Sequence, residues 1–199
     1  MRTSASWGDQ VSPNQAAKQR QIIEAAKQVL VRDGLAGCTV RSVADASPLT
    51  KSAVHYYFSD MDEIIDQAMA DHISSFIERV RSAIARHTGP VDRLWAAVDE
   101  YVAIFQEVPR GLVLWHEYWI DSVRRGRLEP LERMFGNVTS IFTELLEDLG
   151  VRDASVVGHG LSSFLIGTVT QQAATERPVE GIRSQIAGLC KLDISISAS

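Results

Sequence analysis

Along almost the whole chain the apolar positions recur with the period of a helix rather than the alternation of a strand, which predicts an all-helical protein. Ser12 followed by Pro13 suits an N-cap and first turn. Ile22, Ile23, Ala26, Val29 and Leu30 then form one stripe that Asp33-Gly34 brings to an end. Thr39 can cap a short helix, VRSVADA, with Val40, Val43 and Ala44 on one face. Ser47-Pro48 closes it, because proline disfavours helical geometry in the residue before it. Thr50 can cap a second short helix, KSAVHYY. Asp60 and Glu63 have the spacing of a capping box. They open a long fourth helix, Met61 to Arg86, whose stripe is Ile64, Ile65, Ala68, Met69, His72, Phe76, Val80 and Ile84.

Gly89-Pro90 marks the next boundary, after which Val91, Leu94, Trp95, Val98, Val102 and Phe105 are spaced for an amphipathic helix that Pro109 and Gly111 interrupt. An aromatic-rich segment, GLVLWHEYWIDSV, and a basic connector, RRGR, lead into a helix from Leu128 to Leu149 closed by Gly150. Asp153 is placed to cap a helix rich in small residues that runs to about Thr175, and Pro178 opens the last, to about Leu192. The expectation is about nine helices in two parts, with residues 12–60 forming a tri-helical N-terminal domain and 61–192 a larger helical one. Residues 1–11 and 193–199 are too polar or too short to order themselves, and are expected to be a disordered arm and a flexible tail.

With 199 residues, 45% of them hydrophobic, the chain can bury a real core. It has no apolar run near the roughly 18 residues of a membrane span and no apolar core of a secretory signal in MRTSASWGDQ, so a cytoplasmic protein without membrane association is expected. Cys38 and Cys190 are too few for a disulfide framework and read as small buried hydrophobes. The net charge of −5 argues against nucleic acid until its distribution is considered. Up to Asp60 the chain carries seven Lys/Arg against five Asp/Glu, whereas the remainder carries 13 against 20. A mildly basic front on an acidic body is compatible with DNA binding confined to the front, since phosphate attraction is screened over roughly 10 Å.

Two short helices joined by a tight turn, with one helix before and a long one after, suit a helix-turn-helix. In the second short helix Leu49, Val54 and Phe58 are placed to point inward. Lys51, Ser52, Ala53, His55, Tyr56 and Tyr57 can then face out towards a major groove about 12 Å wide. Lys51 can reach a guanine edge or a phosphate, Ala53 a thymine methyl, and the tyrosine hydroxyls the backbone. From the pattern alone, generic packing of two short capped helices stands equally open.

The stretch from Ile22 to Ile64 resembles the DNA-binding region of the tetracycline-repressor-like (TetR) family of transcriptional regulators. The resemblance rests on the apolar-Ala-Ala start between Ile22 and Ala26, Gly34 at the bend, Thr39 before the first short helix, Ala44 within it, and the run His55-Tyr56-Tyr57-Phe58. It implies double-stranded operator DNA as partner, with Arg41, Lys51, Ser52, Ala53 and His55 facing bases and Thr39, Thr50, Tyr56 and Tyr57 at phosphates. The chain departs from the family at Pro48, where glycine is usual in the turn, and at Met61, where a phosphate-contacting lysine is common. Losing that contact implies a weaker grip, each phosphate contact adding roughly 0.9 to the salt slope.

The same resemblance implies that the C-terminal domain binds a small-molecule effector and forms a homodimer. Trp95, Phe105, Trp115, Tyr118, Trp119, Phe142 and Phe164 are candidates for an apolar pocket, with Phe135 beside them and His116, Glu117 and Arg110 as polar partners. The last two helices are the candidate interface, with Gly160, Gly167 and Thr168, as well as Gly158, allowing close approach. Leu161, Leu165, Ile182, Ile186 and Leu189 would form the seam of a two-fold four-helix bundle. A palindromic operator needs such a dimer to set two recognition helices about 34 Å apart. An enzyme is not expected. His116-Glu117 begins like a zinc-protease motif, but Ile120 stands where the second histidine must be, and Gly158-His-Gly160 lacks the strand and third glycine of a dinucleotide fingerprint. No catalytic residue, metal site or cofactor is assigned. The competing class is a helical small-molecule or partner-binding protein of the same fold that has lost its operator.

Overall fold

Side-chain caps decide where the N-terminal helices begin. The computed structural model describes residues 12–175 and 178–192, so the expected arm and tail lie outside the described residues. Within them are nine helices and no strand: α1 (Pro13–Gly37), α2 (Val40–Asp45), α3 (Lys51–Tyr57), α4 (Met61–Ile84), α5 (Pro90–Glu107), α6 (Pro109–Arg125), α7 (Leu128–Asp148), α8 (Ala154–Gln172) and α9 (Val179–Leu189). Two units are distinguished, the first ending at Met69 and the second beginning at Ala70, so that α4 contributes to both.

In the first unit the Ser12 hydroxyl accepts from the Gln15 amide and Pro13 occupies the first turn, as the sequence leads one to expect. Ile22, Ile23, Ala25, Ala26, Val29 and Leu30 of α1 are buried, as are Val43 and Ala44 of α2, Val54 of α3, and Ile64, Ile65, Ala68 and Met69 of α4. The long helix α1 is broken at Gly34, whose φ of 74° and ψ of −176° lie in a region open to almost no residue but glycine. Gly34→Ala is expected to lose about 1–3 kcal/mol from this strain. Urea unfolding of the two proteins checks it, and equal midpoints would contradict it. At the start of α4 the Asp60 carboxylate accepts from the Glu63 amide at 2.8 Å. Glu63 reaches back one residue further than a reciprocal box requires, to the amide and hydroxyl of Ser59.

The second unit is built on a core to which every helix from α4 to α9 contributes, including Leu94, Val98, Tyr101, Leu112, Phe142, Leu146, Leu161, Leu165, Ile182 and Ile186. Helices α7 and α8 pack most intimately, and Gly158 is the reason. A Cβ there would stand 2.5 Å from Thr143 Oγ1 and 3.1 Å from the Thr143 backbone. One expectation is borne out and one corrected in this unit. Pro109 ends α5 but also opens α6 as its first residue, where its missing N–H costs nothing. Asp153 does not cap α8 with its side chain; it adopts a left-handed conformation, φ 57°, and its carbonyl accepts from Val156 and Val157. Helices α8 and α9 are also shorter at their C-terminal ends than the pattern suggested.

Candidate nucleic-acid interface

The start of α2 is set by a reciprocal cap. The Thr39 hydroxyl accepts from the Ser42 amide at 3.2 Å, and the Ser42 hydroxyl accepts from the Thr39 amide at 2.9 Å. Sequence reasoning missed Ser42, because the spacing Thr-x-x-Ser carries serine where glutamate or glutamine is the usual signal. Between α2 and α3 the chain turns without any residue at positive φ, the left-handed residues of the described chain being Gly34, Gly126, Gly150, Asp153 and Lys191. That explains how Pro48 replaces glycine. The turn is closed instead by Ser47, whose hydroxyl accepts from the Leu49 amide at 3.2 Å.

Thr50 then caps α3 by accepting from the Ala53 amide at 3.2 Å. This leaves the Thr50 hydroxyl hydrogen free for an external acceptor such as a phosphate oxygen. Val54 and Phe58 are buried and fix the helix by one face. Lys51, Ser52, His55 and Tyr56 are exposed on the other, with Ala53 and Tyr57 half-buried between them. Tyr56 is 78% exposed and packs only edge-on against Tyr57, with ring centroids 5.0 Å apart. Nothing in the packing of the unit accounts for so much aromatic surface left in water. Thr39 and Arg41 are exposed as well, and Arg41 meets Asp45 only at 3.8 Å, a surface pairing worth little and readily exchanged. Lys51 makes no ion pair among the described residues. All nine residues named from the sequence thus lie on or beside α2 and α3, seven of them exposed.

Cys38, just before α2, is buried, and its thiol is pushed up to about 11 by desolvation and then by the Asp33 carboxylate. Because the folded value lies above the unfolded one of about 8.5, the unfolded chain loses its proton first. This group's contribution to stability is therefore intact at neutral pH and falls as pH rises between those values. Cys38 is expected to resist a thiol reagent at pH 8 until the protein unfolds; rapid modification of the folded chain would contradict its burial.

Among the described residues the C-terminal candidates fall into separate aromatic groups. Phe105 and Phe142 join a cluster with Phe76 and Tyr101, ring centroids 5.3 to 6.1 Å apart. Trp115 and Tyr118 form another with Phe135, beneath the Arg127 guanidinium. Trp95 is buried, with Arg183 of α9 over its ring at 5.6 Å. Three further aromatics lie elsewhere: His116 ties α6 to Thr170 of α8, Trp119 faces solvent from α6, and Phe164 opens on a groove between α8 and α9. That groove, about 700 Å³, is lined by Ser163, Phe164, Gly167, Thr168, Gln171, Gln185, Gly188 and Leu189. Of the residues named for a dimer seam, Leu161, Leu165, Thr168, Ile182 and Ile186 are buried within the single chain, while Gly160 and Leu189 are exposed and Gly167 half-buried. Gly158 spends its close approach on α7. Among the described residues no cluster of His, Cys, Asp or Glu is arranged to hold a metal ion, and no helix is long and apolar enough to cross a membrane.

Residues 22–68, the segment that contains this capped pair of helices, match the family model of bacterial regulatory proteins of the tetR family. That segment is therefore similar to the DNA-binding region of TetR-family regulators. Among proteins similar to this chain is the HTH-type transcriptional regulator BetI of Stenotrophomonas maltophilia, 26% identical over 160 residues, covering 75% of this chain and 78% of its own. The fold is shared with a TetR transcription regulator from Haloarcula marismortui, at a TM-score of 0.73 and 20% identity, over 88% of this chain and 97% of that one. It is shared too with the multidrug binding protein EbrR, solved in complex with imidazole, at a TM-score of 0.68 and 22% identity, over 92% and 97% of the two chains. The protein is a DNA-binding transcriptional regulator and not an enzyme. Regulators of this family bind operator DNA and small-molecule effectors and act as dimers.

Proposed function

We propose that this regulator is a cytoplasmic repressor that binds a palindromic operator as a homodimer and releases it when a small apolar or aromatic effector enters the second unit. The observation that carries the reading is α3, locked to its unit by Val54 and Phe58 while Lys51, Ser52, His55 and Tyr56 stand exposed. In this reading α3 lies in the major groove with Lys51, Ser52, Ala53 and His55 at base edges and Arg41 beside them. Thr39, Thr50, Tyr56 and Tyr57 hold phosphates. Residues 12–60 act as the DNA-binding domain and 61–192 as the effector and dimerisation domain. A second copy docks along α8 and α9, where a Cβ added at Gly160, Gly167 or Gly188 would meet nothing within 4 Å and a partner helix can approach closely.

The aromatic clusters of the second unit support an apolar effector, and a relative of the same fold, EbrR, was solved with a small molecule bound. Helix α4 contributes to both units, which makes it the covalent route by which occupancy in one biases the other. The test is to titrate a panel of small aromatic compounds into the operator complex and follow DNA release by anisotropy. At least one compound is expected to weaken binding 10-fold or more by binding the protein. Identical operator affinity for free and compound-saturated protein would overturn the release mechanism.

A further inference from the structure

The large apolar side chains left in water are concentrated on one helix. On α6 they are Val113, Trp119, Ile120 and Val123, with Val108 and Leu128 just beyond its two ends. The rest of the second unit contributes only Val156 and Leu189 among the described residues. At about 100° per residue, Val113, His116, Trp119, Ile120 and Val123 fall within one arc of about 120°. The other side of α6 is occupied by Leu114, Tyr118 and Ser122, all buried, and in the first turn Leu112 is buried on the stripe's own side, so that the exposed face begins at Val113. Single exposed hydrophobics are ordinary, whereas a row of them on one helix face with a tryptophan among them marks a surface that something covers.

His116, in the middle of the stripe, shows where it leads. One ring nitrogen, Nδ1, bonds the Leu112 carbonyl at 2.8 Å, and the other, Nε2, lies 3.3 Å from the Thr170 hydroxyl on α8. Thr170 donates in turn to the Ile166 carbonyl at 2.7 Å. Thr170 stands beside Gln171 and one turn from Gly167, both of which line the groove between α8 and α9. The stripe is therefore continuous with the surface assigned above to a second copy. That groove is poor in anchors, with Phe164 and Leu189 as its only large apolar side chains. A stable interface takes about 800 Å² from each partner and draws most of its energy from a few aromatic anchors.

We propose that the α6 stripe is part of the homodimer surface, covered by a second copy of this chain, with Trp119 as its main anchor. The proposal rests on the dimer reading given above and extends that interface across His116 and Thr170. Sedimentation equilibrium of the full chain tests it. The wild type is expected to dimerise, Trp119→Ala to raise the dimer dissociation constant 10-fold or more, and Ile120→Lys with Val123→Lys 100-fold or more, with helical circular dichroism unchanged. Ile120→Cys gives a readout that does not depend on disrupting the interface, since the native Cys38 and Cys190 are buried. Its thiol is expected to react with a charged maleimide at least 10-fold more slowly above the dimer dissociation constant than below it. A wild-type dimer in which that thiol reacts equally fast at both concentrations would overturn the proposal, whether or not the other variants weaken association, and would leave the stripe to a different occupant while the α8 and α9 interface stands. A wild type that sediments as a monomer would overturn both.

Discussion

Gly158→Val is expected to destabilise the second unit by about 2–3 kcal/mol, through overpacking rather than through any loss of contact. A Cβ alone at this position would come within 2.5 Å of Thr143 Oγ1, and a side-chain rotation could relieve that clash. It would also stand 3.1 Å from the Thr143 Cα and amide nitrogen, which belong to the α7 backbone and can yield only if the two helices separate. Separation would loosen Ile141, Phe142, Leu145, Leu161 and Leu165, all buried in the same core. For a domain of this size the melting temperature should fall by roughly 4–12 °C. Gly136→Ala, in the middle of α7, provides the control. Its Cβ meets nothing within 4 Å, so removing a mid-helix glycine should raise the stability of the chain by about 0.5–1 kcal/mol. Indistinguishable melting of Gly158→Val and wild type would mean that α7 and α8 do not pack as closely as described.

The second large effect falls on DNA and leaves folding untouched. Tyr56→Ala and Lys51→Ala remove exposed side chains with no part in the core, so thermal unfolding should stay within about 0.5 kcal/mol of wild type. Operator affinity should fall 10- to 100-fold for each, corresponding to about 1–3 kcal/mol. The two are separable by salt. If Lys51 sits on a phosphate, its removal lowers the slope of log affinity against log salt by about 0.9 and weakens all sequences alike. If it reads a base edge, its removal relaxes preference at one position of the operator. Val54→Ala and Phe58→Ala should behave oppositely, costing stability first, because both side chains are buried. Unchanged operator affinity in Tyr56→Ala and Lys51→Ala would remove α3 from the interface.

The N-terminal unit was legible in the sequence because its decisions are local. Thr39, Thr50 and Asp60 each accept from an amide three residues on, a relation that spacing alone reveals. Gly34 sits where a backbone bend requires it, and Val54 and Phe58 announce the inner face of α3 by their period. Pro48 looked like an obstacle only because glycine is usual in such turns; the turn uses Ser47 and no positive φ. The larger unit was readable as helices but not as surfaces. Helical period separates apolar from polar positions, yet it cannot say which apolar face meets a neighbouring helix of the same chain and which meets another molecule. Leu161, Leu165, Ile182 and Ile186 had the pattern of a seam and fill the core of the single chain. Trp119 had the composition of a pocket and lies in solvent. Asp153 had the chemistry of a cap but took a left-handed backbone, which put its side chain out of use. In each case the deciding fact is a tertiary neighbour far away in sequence.

Selection of bound sequences from a random DNA pool, carried out in parallel with wild type and Tyr56→Ala, tests the central claim most directly. Wild type is expected to enrich one palindrome bound in a salt-sensitive manner by a dimer, and the variant to fail to enrich it under the same conditions. No enrichment by wild type even at low salt would contradict the account and favour a helical binding protein that has kept the fold and lost its operator.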